Sequence, residues 1–74
     1  MELGVDRYPP EWLDGPNGER IKLQGVYEGP GLTPAKVEIW IDDQRADVID
    51  GQWTDYGEAI TAARQVALEW CAKR

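Results

Sequence analysis

From Ile21 to Glu28 apolar and polar residues alternate, with Ile21, Leu23 and Tyr27 on one side and Lys22, Gln24 and Glu28 on the other, as in a half-buried strand. The following Gly29-Pro30-Gly31-Leu32-Thr33-Pro34 reads as a loop, because proline lacks the N–H that a ladder needs. Alternation resumes with Val37, Ile39 and Ile41 against Glu38, Trp40 and Asp42, and the chain returns from Arg45 to Asp50. A turn centred on Asp43-Gln44 would pair Asp42 with Arg45, Ile41 with Ala46, Trp40 with Asp47 and Ile39 with Val48. That register sets apolar against apolar and an acid beside a base. Asp-Gln lacks the glycine of a two-residue primed turn, so a longer loop of the same parity is the alternative.

Gly51 ends this pattern, and Asp55 with Glu58 three residues on marks a helix start, both acids lying at the positive end of the helix dipole. Tyr56, Ala59, Ile60, Ala63, Val66, Ala67 and Trp70 then form one apolar stripe to about Ala72, and Lys73-Arg74 place positive charge at the opposite pole. The three alanines on the stripe allow close approach to a sheet.

Residues 1–20 lack sustained periodicity and contain Pro9, Pro10, Gly15, Pro16 and Gly18, which predicts an extended segment with a turn at Asp14 to Gly18. Tyr8, Trp12 and Leu13 are expected to close one edge of the core, the alternative being an arm that reaches a partner. The fold class is therefore α+β: a three-stranded antiparallel sheet with one C-terminal amphipathic helix packed on one face, residues 21–74 forming a single domain after the N-terminal segment. The helix should cover Val37, Ile39, Ile41, Ala46 and Val48. The opposite face would then present Glu38, Trp40, Asp42, Asp47 and Ile49, with Asp43 and Asp50 at its ends.

Charge singles out the same region. Between Val37 and Glu58 there are seven acids against one base, Arg45, which accounts for the whole net charge of −6. An acidic chain is repelled by nucleic acid and by anionic membranes, so it is expected to bind neither directly; a basic protein surface is the complementary partner. With 74 residues the chain is one small domain, too short for a large enclosed active site. The lone Cys71 fits a reducing compartment, and no apolar run near the length of a membrane span and no signal peptide stand out, so a cytoplasmic location is expected.

Gly25-Val26-Tyr27, Val37-Glu38-Ile39-Trp40, Gly51-Gln52-Trp53 and Glu58-Ala59 fall where the small β-β-β-α domains of the AP2 and integrase arm-binding type carry a Gly-Val first strand, an aromatic-bearing second strand, a Gly-x-aromatic and a Glu-Ala helix start. Over roughly residues 21–72 the chain resembles that family. The resemblance implies the scaffold and a DNA-reading uncovered face. Here only Trp40 answers to that role, while Glu38, Asp42 and Asp47 stand where bases would be needed.

Chemistry within the chain is sparse. There is no His and no Ser, which removes the usual general base and hydroxyl nucleophile. Cys71, near a helix C-terminus, is expected to be structural, since the dipole there raises a thiol pKa. Asp47, Asp50, Asp55 and Glu58 miss the spacing of a calcium loop, so no metal and no cofactor are expected. The expected function is that of a non-enzymatic acidic binding protein docking Glu38, Trp40, Asp42, Asp43, Asp47, Ile49 and Asp50 on a basic surface of a nucleic-acid-binding protein. In size and acidity the chain resembles phage-type inhibitors of the anti-CRISPR class. The alternative is a homodimer or larger assembly that uses the uncovered face as its interface.

Overall fold

The computed structural model describes residues 8–29 and 31–73. Residues 1–7 of the expected extended segment, Pro30 of the loop and the Arg74 charge at the helix end lie outside the described residues. The elements are β1 (Glu11–Asp14), β2 (Arg20–Val26), β3 (Lys36–Ile41), β4 (Gln44–Asp50) and α1 (Tyr56–Ala72). The strands form one antiparallel sheet in the order β1-β2-β3-β4, with α1 against one face. The α+β architecture follows the alternation, with one addition: part of the expected N-terminal lead is a fourth strand, in which Leu13 pairs with Ile21 and Trp12 with Lys22. The loop that joins β1 to β2 closes through Gly15 N–H to the Glu19 carbonyl at 2.8 Å, and the Glu19 carboxylate accepts from Asn17 N–H at 2.9 Å.

The helix starts as its sequence specifies. Asp55 Oδ1 accepts from Glu58 N–H at 2.8 Å, and Glu58 Oε1 reaches back to the Thr54 N–H at 2.7 Å, so two donors without intrahelical partners are satisfied. Ala59, Ile60, Ala63, Ala67 and Cys71 are buried against Ile21, Leu23, Val37, Ile39 and Ile41, and these residues are the core. Along the stripe Cys71 takes the innermost place at the C-terminal end and Trp70, expected there, is 42% exposed. Small side chains on the helix match the larger β-branched and leucine side chains of the sheet, which sets the two layers close together. Gly25 on β2 leaves room for the segment that follows it, because a Cβ there would lie 3.1 Å from the Tyr27 hydroxyl and 3.3 Å from Pro34.

The β3–β4 hairpin departs from the expected register. The turn is Asp42-Asp43, with φ of 52° and 68°, and Ile41 pairs with Gln44 across it. Two positive φ values match the right-handed strand twist in a two-residue primed turn; aspartate tolerates the left-handed region better than most non-glycine residues. Trp40 pairs with Arg45 but Ile39 pairs with Asp47, so Ala46 is an extra residue in β4. The bulge reverses the parity of everything after it. Ile49 therefore faces the helix and packs on the core, while Val48 lies opposite Glu38 and is 40% exposed. The expectation that Val48 is covered and that Asp47 and Ile49 are uncovered is corrected by this single inserted residue.

Candidate functional site: the uncovered sheet face

On the face away from α1, the pairing places Trp12, Lys22, Trp40 and Arg45 side by side across all four strands. The four form one continuous row in space because each strand presents alternate residues to this side. The Lys22 ammonium lies 4.8 Å from the Trp40 ring centre and 5.8 Å from that of Trp12, and the Arg20 guanidinium lies 4.9 Å from the Trp12 ring. These are cation–π distances. Trp40 Nε1 donates to Glu38 Oε1 at 3.2 Å, and the other oxygen of Glu38 is 3.6 Å from Arg45. Both indoles are thus held by charged neighbours, and Trp12 remains 52% exposed.

The face is of mixed charge. Asp14, Glu38 and Asp50 share it with Arg20, Lys22, Lys36 and Arg45 by the register of the four strands. Of the seven residues expected to bind a partner, Glu38, Trp40 and Asp50 lie on this face, and Asp42 and Asp43 form the turn at its edge. Asp42 is tied into the sheet: its N–H donates to the Arg20 carbonyl at 2.8 Å and its Oδ1 accepts from Arg20 N–H at 3.0 Å. Asp47 and Ile49 are on the other side, beyond the bulge, where Asp47 Oδ2 accepts from Trp70 Nε1 at 3.1 Å.

The residues that the sequence pattern did not bring forward are Trp12, Arg20, Lys22 and Arg45. Lys22 stands on the polar side of the alternating strand and Arg45 opposite Asp42 in the expected hairpin. Trp12 and Arg20, in contrast, lie in the segment without periodicity, and Trp12, expected to close the core, is exposed. Lys22 and Arg45 acquire their meaning only when β2, β3 and β4 are set side by side, and Trp12 only when the four residues of β1 are recognised as a strand.

Among the described residues no cluster of three or more His, Cys, Asp or Glu side chains is arranged to hold a metal ion. No helix among them is long and apolar enough to cross a membrane. The chain matches no family model, no curated protein and no solved structure.

Proposed function

We propose that the protein is a non-enzymatic binding module that docks its uncovered sheet face on a larger protein, with Trp12 and Trp40 as the apolar anchors. The observation that carries this reading is the Trp12–Lys22–Trp40–Arg45 row, in which an exposed tryptophan is held by cations over its ring. Tryptophan and arginine dominate interface hot spots, and side chains fixed before binding lose less conformational freedom on association. The mixed charge around them supplies orientation. The net charge of −6 favours encounter with a positively charged partner. A basic, nucleic-acid-binding protein answers that description, and blocking it is the action of a phage-type inhibitor of the anti-CRISPR kind. Direct nucleic-acid binding is opposed by the same net charge.

The test is affinity capture with the wild type, the Trp12→Ala/Trp40→Ala variant and the Glu38→Lys/Asp50→Lys variant, which reverses two acids of the docking face, each checked for native circular dichroism. The expected result is a partner that the wild type retains and both variants lose. Two anchors of hot-spot strength, at 2 kcal/mol or more apiece, correspond to about 30-fold in affinity for each tryptophan. A captured set identical across the three proteins, or firm binding of DNA by the wild type at physiological salt, would overturn the reading.

A further inference from the structure

A second exposed indole, Trp70, stands away from the face just described. Its N–H donates to Asp47 Oδ2 at 3.1 Å, and Asp47 Oδ1 accepts from Val48 N–H at 2.8 Å, so the carboxylate and the indole hold each other in place. The bulge at Ala46 makes this contact, because without the extra residue Asp47 would face away from the helix. Among the described residues Trp70 borders a pair of hollows. One, of about 270 Å³, is lined by Asp47, Val66, Glu69, Trp70 and Lys73. The other, of about 350 Å³, lies toward Ala46 and has Arg45 on its wall.

We propose that the hollow between Asp47 and Glu69 is a binding site for an arginine side chain of a protein partner. Its walls divide as that side chain does. Val66 and the Trp70 ring offer apolar surface to the aliphatic stem and a π face to the guanidinium, while two carboxylates take the charge. Asp47 keeps acceptor capacity after its two hydrogen bonds, since a carboxylate has about four lone-pair sites. The Glu69 carboxylate makes no hydrogen bond or ion pair with any described residue. The neighbouring hollow is the poorer choice, because Arg45 would repel the same group. Lys73, on the rim of the favoured hollow, is the one opposing charge among the described residues that line it and forms no ion pair with Asp47 or Glu69. This site is independent of the sheet face: it sits on different residues and can fail while that reading stands.

The experiment follows the four indole N–H signals by heteronuclear NMR during titration with a capped Gly-Arg-Gly peptide, with capped Gly-Lys-Gly and Gly-Glu-Gly as comparisons. The expected result is a saturable shift of the Trp70 signal with the arginine peptide, a weaker one with lysine and none with glutamate. Asp47→Asn/Glu69→Gln, which preserves shape and an acceptor for the Trp70 N–H, should abolish the shift. Lys73→Gln should tighten binding by about two- to fivefold, the range of one exposed charge pair. A Trp70 signal that does not move, that moves equally with the glutamate peptide, or that moves unchanged in the double variant overturns the proposal. So does a response confined to the Trp12 and Trp40 signals, which would place cation recognition on the sheet face instead.

Discussion

Tyr56, the first residue of the helix, shows how one side chain joins the N-terminal strand to the rest of the molecule. Its ring stacks on that of Tyr8 with centroids 4.0 Å apart, and its hydroxyl donates to Glu11 of β1 at 3.3 Å. Burial, and then the negative charge of Glu11 and the hydrogen bond to it, push the phenol pKa from 10.0 up to about 12. All three causes favour the protonated form. The unfolded chain therefore gives up this proton at lower pH than the folded one, and the associated stability is intact below pH 10 and is lost as pH rises toward about 12. A phenolate absorbance titration should show a step near the upper value that Tyr56→Phe removes, with the alkaline loss of stability less steep in that variant. A tyrosine titration with no step above the ordinary range would contradict the arrangement of Tyr56 and Glu11.

At the scale of elements, the β3–β4 hairpin decides what the molecule presents. Asp42 and Asp43 both adopt positive φ, where a Cβ costs energy and glycine does not. Asp43→Gly should therefore stabilise the fold by about 0.5–1 kcal/mol, since an Asp-Gly pair is among those preferred in this turn. The check is the midpoint of chemical denaturation, and a lowered midpoint would mean that the Asp43 side chain stabilises the turn by more than its backbone conformation costs. Alternation was enough to read β2 and β3, and the Asp55 cap with the alanine-rich stripe was enough to read the helix, because local sequence alone determines those patterns. The bulge was not legible. Nothing in Arg45-Ala46-Asp47 marks Ala46 as the extra residue, and a strand whose apolar residues are the adjacent Val48 and Ile49 fits either parity. Only the helix resolves it, by offering a core position to Ile49 and an indole N–H to Asp47. That choice divided the expected site: Glu38, Trp40 and Asp50 stayed on the open face and Asp47 and Ile49 left it. β1 was hidden for a different reason, since four residues between prolines and glycines carry too little pattern to stand out until Leu13 meets Ile21 and Trp12 meets Lys22.

For the whole molecule, the question is whether the open face serves a foreign protein or a second copy. The described chain spans 40 × 23 × 15 Å, so at a Debye length of about 30 Å, near 0.01 M salt, most charges of one copy would be felt by another in contact. Two bodies of −6 then repel, and the mixed charge of the open face, with four bases to three acids, is too nearly balanced to offset that repulsion. At about 0.15 M salt the Debye length falls to roughly 8 Å and the general repulsion is largely removed, leaving only what the two faces gain by direct contact. In a face-to-face pair the Lys22 cations of the two copies would come together and repel, so direct contact between copies adds little. Sedimentation is accordingly expected to show a monomer at both salt concentrations. A dimer that grows in as salt is raised and disappears in Trp12→Ala/Trp40→Ala would assign the face to self-association. A dimer that survives that substitution would point to another surface, with the exposed edge of β4 the first to test by placing a proline at Val48.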